Sequence, residues 1–229
     1  MTHPPDRSHI ATEGRNPRSH GLQKRSIADL VHLMNTENAA VLDAMQAAEP
    51  ALIALIEAAE PGFLAGGRLV YLGAGTSGRL GVLDASEAPP TFQVPPGRVV
   101  GLIAGGDGAL RRSSEGKEDD PDGAVPELEA LHLDHRDTVI GIAAGGTTPY
   151  VQGALRWCSR RQEAPITALI SCSPIDRPDG VHHLIVLATG PEVLTGSTRL
   201  KAGTATKLAL NTISTALMVR LGKVYDNLM

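Results

Sequence analysis

Cysteine and aromatic residues are scarce in this chain of 229 residues, which has two Cys, one Trp, three Tyr and two Phe. Cys158 and Cys172 lie fourteen positions apart with no second pair, so the spacing gives no support to a metal site or a redox motif and favours buried free thiols. So few aromatic rings leave little surface for stacking nucleic-acid bases. We therefore expect neither a metal nor a nucleic-acid partner.

Basic clusters and long apolar runs are also missing. The net charge of -4 and the absence of a lysine or arginine run argue against a nucleic-acid surface. The first 24 residues are polar and lack the apolar core of a signal peptide, and no later run reaches the roughly 18 residues that a membrane span needs. The 42% hydrophobic content is enough for a sizeable core. These features predict a cytoplasmic protein without a membrane partner.

The most informative stretch is 68–79, in which an apolar run stops at three glycines and then resumes as helix-like sequence. Such a pattern is typical of a strand, a tight turn and the start of a helix. Glycine allows positive φ and close approach of backbone N–H groups to a ligand, and neighbouring hydroxyls add donors, so the turn favours an anion. The residues concerned are Gly73, Gly75, Gly78, Thr76 and Ser77.

Two familiar nucleotide motifs fit this turn poorly. No Lys-Ser or Lys-Thr follows the glycines, as a Walker sequence requires. The glycine spacing matches a dinucleotide site, but the next strand ends in Gly105 and Gly106, where an acid should hold the ribose. A turn that binds nothing remains the alternative at this stage.

Apolar runs rich in β-branched residues recur after the first strand, separated mostly by segments long enough for a helix. Runs that are apolar at nearly every position indicate strands covered on both faces. We therefore predict an α/β fold, a doubly wound three-layer α/β/α arrangement with a five-stranded parallel sheet preceded by N-terminal helices. The four later runs are 98–104, 137–143, 166–171 and 183–188.

The chain divides into three predicted parts: an arm over 1–25, helices packed on the core over 26–65, and the sheet domain over 66–229. Helical periodicity begins at residue 26. We expect Thr36 to cap a second helix and Pro50 to begin a third.

Small residues follow the first four predicted strands, at the edge where such sheets bind ligands. The third strand leads into 145–148, and the hydroxyl-rich segment 195–198 precedes a final helix over 201–221. Ser197 and Thr198 either cap this helix or bind an anion at its N-terminus, and the two roles are compatible.

Five stretches together resemble the N-acetylmuramic acid 6-phosphate etherases, a family in the sugar isomerase (SIS) domain superfamily. The resemblance implies that 66–229 form a SIS domain and that the protein hydrolytically removes D-lactate from the C3 ether of the sugar phosphate during cell-wall recycling, giving N-acetylglucosamine 6-phosphate. The stretches are 12–16 (TEGRN), 71–81 (YLGAGTSGRLG), 83–90 (LDASEAPP), 101–106 (GLIAGG) and 194–205 (LTGSTRLKAGTA).

The implied chemistry needs two proton-transferring groups and no cofactor or metal. Opening the sugar ring exposes a C1 aldehyde, which acidifies the C2 proton and permits elimination of lactate from C3 before water adds back. By resemblance, Glu87 is the acid that assists lactate departure and Glu118 is the base at C2. The residues alone favour another interpretation, with Glu87 solvated at the end of a helix halted by Pro89 and Glu118 in an acidic surface run.

The resemblance also implies a set of substrate- and phosphate-binding residues. One loop departs from the family, because residues 145–149 read Gly-Gly-Thr-Thr-Pro where etherases usually carry Ser-Gly-Arg-Thr-Pro. Each hydrogen bond lost to a charged ligand costs on the order of 1.5 to 3 kcal/mol, so affinity is expected to be lower or the ligand to differ. The implied residues are Gly75, Thr76, Ser77, Ser86, Gly146, Thr147, Thr148, Ser197, Thr198 and Lys201.

The resemblance implies that the chain forms a homodimer with active sites near the interface. Family members typically continue past the position of residue 229 with a small helical region. Two other functions remain open. A non-catalytic sugar-phosphate sensor, similar to the glucokinase regulatory protein, would bind the same ligands without lactate release. An aldose-ketose isomerase would share the C2 proton chemistry.

Overall fold

The computed structural model describes residues 10–112, 114 and 116–229. Its centre is the predicted five-stranded parallel sheet, with strand order β2-β1-β3-β4-β5. Leu69 of β1, the second strand in this order, lies between Val99 of β2 and Thr138 of β3. The strands are β1 (Leu69–Gly73), β2 (Val99–Ile103), β3 (Thr138–Ile142), β4 (Ile166–Ser171) and β5 (His183–Val186).

Helices cover both faces of this sheet, so the doubly wound arrangement is confirmed. Short 3-10 turns shape the arm at Ala11–Glu13, Pro17–Ser19 and Leu22–Lys24. In the part of the chain that the structure describes, the α-helices are α1 (Ile27–Glu37), α2 (Ala39–Leu64), α3 (Gly75–Phe92), α4 (Gly108–Arg111), α5 (Val125–Ala130), α6 (Pro149–Ser159) and α7 (Lys201–Arg220).

Side chains of successive strand residues enter opposite apolar layers, as the pleat requires. Tyr71 and Ile140 pack with α2, α3 and α7 on one face. Val70 and Val139 pack with α5 and α6 on the other. Burial on both faces explains why the strand sequences are apolar at nearly every position.

Prolines do not end the helices where the sequence pattern suggested. Pro50 lies inside α2 instead of beginning a helix, and α3 continues through Pro89 to Phe92. Thr36 lies within α1 and donates its hydroxyl to the carbonyl oxygen of His32 at 2.9 Å, so it is not a cap. The free energy gained by burying one face of each helix against the sheet exceeds the cost of the hydrogen bonds that proline cannot donate.

One helical stretch, Ile27–Leu64, is long and apolar enough to meet the length and composition criteria of a membrane span. From the sequence, we expect no apolar run long enough to span a membrane. That expectation holds for uninterrupted apolar residues, because Asp43 and Glu49 break the apolar sequence within this helical stretch. A core helix meets the same criteria, and α2 packs on the sheet. Its buried residues include Val41, Ala48, Leu52, Leu55, Ala59 and Phe63.

Candidate active site

Two long helices begin side by side at the carboxyl edge of the sheet. α3 starts directly after β1, and α7 starts at Lys201. A Cβ atom built on Gly203 would lie 3.5 Å from Cγ2 of Thr76 and 3.2 Å from the carbonyl oxygen of Thr198, so the first turns of the helices are in contact. The fold thereby brings together the two hydroxyl-rich turns that the sequence predicted to bind phosphate.

The N-terminus of α3 presents free backbone N–H groups. Among the residues that the structure describes, no side chain caps this end, and its first hydrogen bond runs from the N–H of Gly78 to the carbonyl oxygen of Ala74 at 3.2 Å. The N–H groups of the first helical turn therefore point beyond the helix, where the helix dipole favours negative charge. They belong to Gly75, Thr76 and Ser77.

Glycine is needed in this turn because β1 and α3 approach very closely. A Cβ atom on Gly78 would lie 2.5 Å from the carbonyl oxygen of Gly73 and 2.6 Å from Cγ1 of Ile103. Gly75 has a φ of 53°, a left-handed conformation that glycine adopts without strain. The glycine spacing thus serves the strand-to-helix packing as well as ligand approach.

The loop after β3 lies at the same edge. Gly146 has a φ of 75°, and its carbonyl oxygen accepts a hydrogen bond from Nε2 of Gln152 at 2.9 Å. Thr147 is exposed and Thr148 is half-buried at the start of α6. Thr147 and Thr148 are accessible to a ligand at the sheet edge, whereas Gly146 is buried, and the role of all three in phosphate binding stays a prediction.

The start of α7 holds a buried carboxylate. Glu192 is fully buried, and its oxygens accept the N–H groups of Lys201 at 3.1 Å and Ala202 at 2.9 Å. The Lys201 ammonium donates to Glu37 at 2.8 Å instead of pointing to solvent. Ser197 and Thr198, on the preceding turn, are half-buried. Of the predicted ligands in this region, only these two hydroxyl residues border solvent.

Glu87 lies in a groove between α3 and α7 with a cavity of about 370 Å³. Its carboxylate is exposed. Lys207 and Asn211 of α7 line the same cavity, in which polar and apolar side chains are mixed on both helices. Ser86, the neighbouring predicted ligand, is exposed and donates its hydroxyl to the carbonyl oxygen of Leu83 at 2.8 Å. A carboxylate and an amine thus share one concave surface.

A buried carboxylate supports this groove from below. Asp84 accepts hydrogen bonds from the hydroxyl of Tyr71 at 3.0 Å, from Nδ2 of Asn211 at 2.8 Å and from the hydroxyl of Ser214 at 3.2 Å. Burial, with the Asp84 charge adding to it, raises the pKa of Tyr71 well above its usual value, so the phenol stays protonated and donates. This cluster ties β1, α3 and α7 together one helical turn from Glu87.

Glu118 lies on the other side of the sheet. It is exposed, and its carbonyl oxygen accepts the N–H of Tyr150 at the start of α6 at 3.0 Å. Tyr150 belongs to the apolar layer opposite the one that contains α3 and α7. Within one chain the fold therefore separates Glu87 from Glu118. Glu115, in the same acidic block, lies outside the described residues.

Metal-binding clusters were not expected from the sequence. Over residues 10–112, 114 and 116–229, no three His, Cys, Asp or Glu side chains are grouped to hold an ion. Burial raises the pKa values of the Cys158 and Cys172 thiols to about 12, so neither thiol is poised as a nucleophile.

Comparison of sequences finds relatives along nearly the whole chain. It is 53% identical over 224 residues to an N-acetylmuramic acid 6-phosphate etherase of Serratia proteamaculans, covering 96% of this chain and 74% of the relative. It is 51% identical over 226 residues to an N-acetylmuramic acid 6-phosphate etherase of Gloeobacter violaceus, covering 98% of this chain and 73% of the relative. The model of the glucokinase regulatory protein N-terminal SIS domain matches residues 51–159.

Comparison of structures finds the same fold in more distant proteins. A putative sugar-phosphate isomerase from Listeria monocytogenes superposes with a TM-score of 0.60 at 18% identity, covering 87% of this chain and 92% of that one. An Escherichia coli CFT073 protein in complex with A5P superposes with a TM-score of 0.57 at 15% identity, covering 89% and 97%. Identity this low establishes the shared fold alone.

Proposed function

The chain belongs to the N-acetylmuramic acid 6-phosphate etherase family, and on that premise we propose that it converts N-acetylmuramic acid 6-phosphate and water to N-acetylglucosamine 6-phosphate and D-lactate. The observation that carries this proposal is the 53% identity over 96% of the chain to an etherase. The reaction serves the recycling of cell-wall sugars. A charged sugar phosphate does not cross a bilayer, so we place the reaction in the cytoplasm, which cell fractionation would check.

The proposed phosphate site is the N-terminus of α3. Free N–H groups, the helix dipole and the hydroxyls of Thr76 and Ser77 all favour an anion there. The loop containing Gly146 and the turn containing Ser197 border the same edge. Lys201 is not needed as a direct ligand in this arrangement, since its ammonium is already bound to Glu37.

The proposed chemistry is an elimination followed by hydration. Glu118 takes the C2 proton of the open-chain aldehyde, and Glu87 protonates the ether oxygen as the C3–O bond breaks and lactate leaves. Water then adds across the resulting double bond, with its hydroxyl bound at C3 and a proton returned to C2. Both carboxyl groups lie at accessible surfaces, as a pair that exchanges protons with a substrate must.

The positions of these groups support an active site shared between two copies of the chain. Gly75 and Glu87 are twelve residues apart on α3, a distance of about 18 Å along a helix rising 1.5 Å per residue. A sugar phosphate bound at the N-terminus of α3 is too short to reach Glu87 of the same chain. We therefore propose a homodimer. In each of its active sites, Glu87 comes from one copy, and the phosphate site and Glu118 come from the other copy.

An uncovered apolar surface on the N-terminal helices is consistent with this dimer. Ile27 is 82% exposed, Val31 55% and Leu42 67%, although all three are large apolar side chains. Exposed apolar residues on one pair of helices commonly mark a protein interface. Leu83 is a further exposed apolar residue; it lies on α3 one turn before Glu87 and lines the same groove.

Measurement of D-lactate tests the activity. The unaltered protein is incubated with N-acetylmuramic acid 6-phosphate beside Glu87→Ala, Glu118→Ala and the control Glu129→Ala, an exposed glutamate on α5. We expect lactate from the unaltered protein and the control, and a loss of at least about 100-fold in either test variant. Sugar-phosphate binding without lactate release would favour the sensor function instead, which the match to a regulatory SIS domain makes the second candidate.

A mixed dimer tests the shared site. Chains carrying Glu87→Ala and Glu118→Ala are co-expressed with different tags, and the heterodimer is purified through both. If each site takes one glutamate from each copy, one of the two sites is intact and about half of the activity returns. A heterodimer as inactive as its parents would show that both glutamates of a site come from one chain.

A further inference from the structure

The segment 10–16 crosses the carboxyl edge of the sheet, where the proposed site lies. Ile10 packs against Gly145, in the loop after β3: a Cβ atom built on Gly145 would lie 3.3 Å from Cγ2 of Ile10. The N–H of Thr12 donates to Oγ of Ser173, just after β4, at 3.3 Å. The arm therefore passes over the ends of two strands before it reaches the loop that precedes α7.

Buried contacts hold this segment in place. Thr12 and Asn16 are almost fully buried, and the hydroxyl of Ser173 donates to the hydroxyl oxygen of Thr12 at 3.3 Å. Nδ2 of Asn16 donates to Glu37 at 2.7 Å and to the carbonyl oxygen of Pro191 at 3.3 Å. The polar groups of these two anchor residues are thus occupied by the protein itself.

Glu13 lies between the two anchors and differs from them. Its carboxylate is half-buried and forms no hydrogen bond or ion pair with the described residues. The carboxylate lies against Gly196, the glycine of the turn 195–198: a Cβ atom built on Gly196 would lie 3.0 Å from Oε2 of Glu13. A carboxylate is held at the mouth of the candidate site, and no described residue uses its acceptor oxygens.

The charge of Glu13 separates the roles of the two hydroxyl-rich turns. A carboxylate beside Gly196 repels a phosphate there but accepts hydrogen bonds from neutral donors. No side chain of the described residues accepts a hydrogen bond from the N-terminus of α3, which keeps its free N–H groups. The phosphate is therefore favoured at α3, and a neutral part of the ligand at the turn before α7.

We propose that Glu13 is a substrate-binding residue whose carboxylate accepts hydrogen bonds from sugar hydroxyl groups lying against Gly196. The proposal rests on the proposed function, since it concerns the same sugar-phosphate site. It assigns the arm a direct role in choosing the ligand: a polyhydroxyl compound satisfies Glu13, whereas a bare anion does not.

Kinetics and calorimetry on Glu13→Gln and Glu13→Ala test this role, with Glu129→Gln as the matched control. We expect KM for N-acetylmuramic acid 6-phosphate to rise about tenfold in Glu13→Ala, with kcat changed less than about threefold and Tm unchanged. The dissociation constant of N-acetylglucosamine 6-phosphate should weaken by a similar factor. Binding of inorganic phosphate should be unchanged, because Glu13 faces the sugar.

Three results would overturn the proposal. KM and sugar-phosphate affinity equal to those of the control would place Glu13 outside the site. Equal weakening of sugar phosphate and inorganic phosphate would indicate a general electrostatic or folding effect, and so would a drop in Tm relative to the Glu129→Gln control. Absence of lactate release in the unaltered protein contradicts the proposed function, but the calorimetric comparison still decides the role of Glu13.

Discussion

The ammonium of Lys201 donates a hydrogen bond of 2.8 Å to Glu37, and the two side chains are only 2% and 1% exposed. The contact joins the start of α7 to the end of α1. Arg18 and Asn16 from the arm bind the same carboxylate. One buried acid thus connects the arm, the N-terminal helices and the helix that borders the candidate phosphate site.

Removing this acid should destabilise the protein strongly. Glu37→Ala leaves the Lys201 ammonium buried without its partner, which typically costs about 3 to 5 kcal/mol. Glu49→Ala on the exposed face of α2 is the control, with an expected change within about 0.5 kcal/mol. Urea unfolding followed by circular dichroism measures both. Similar midpoints for the two variants would mean that the pair adds nothing to stability.

The same carboxylate predicts loss of stability in acid. The hydrogen bond from Arg18, with those from Lys201 and Asn16, lowers the pKa of Glu37 from 4.5 to about 2, against the opposing effect of burial. The folded state therefore binds the proton less readily than the unfolded state. The contribution is fully present above pH 4.5 and is lost as pH falls toward 2; its size is on the order of 3 kcal/mol.

Unfolding free energies measured from pH 7 to pH 2 check this window. The unaltered protein should show a steeper decline below pH 4.5 than Glu37→Gln, in which the titrating group is gone. Parallel curves for the two proteins would assign the acid sensitivity to other carboxylates.

Gly78 is predicted to tolerate no side chain. In Gly78→Ala the new Cβ atom would lie 2.5 Å from the carbonyl oxygen of Gly73, so α3 must move away from β1. We expect a loss of about 2 kcal/mol or more and weaker phosphate binding, because the free N–H groups shift with the helix. Gly108→Ala, where nothing lies within 4 Å of the added atom, is the control. Thermal unfolding and phosphate titration of both variants make the comparison.

Asp84 is predicted to hold the groove around Glu87. Asp84→Ala removes the shared acceptor of Tyr71, Asn211 and Ser214, and leaving the buried hydroxyls of Tyr71 and Ser214 unpaired costs about 1 to 3 kcal/mol for each group. Tyr71→Phe removes one donor only and should cost about 1 kcal/mol. If Asp84→Ala is no less stable than Tyr71→Phe, the cluster does not link the helices energetically.

The sheet and the glycine-rich turn after β1 were predictable because their signals are local. Apolar runs such as 137–143 and 166–171 contain strands buried on both faces, and the glycines of 68–79 mark the strand-to-helix turn. The position of Pro50 was predicted wrongly. Proline disfavours a helix interior locally, but α2 is also stabilised by the apolar face that it buries, and the local pattern around Pro50 does not show that burial. The division at residues 25 and 65 and the roles of the site residues stay predictions, and residues 1–9 of the arm lie outside the described chain.

The sequence by itself determined the α/β class, the strand locations and the family, since each depends on residue type and spacing along the chain. Tertiary structure alone decided which charged groups are free. Lys201 looks like a phosphate ligand in sequence, but Glu37, 164 residues away, binds its ammonium. Glu13 looks like part of a polar arm, yet folding places its carboxylate against Gly196. Contacts between distant residues set burial and pairing, and these physical quantities distinguish a structural charge from one that is available to a ligand.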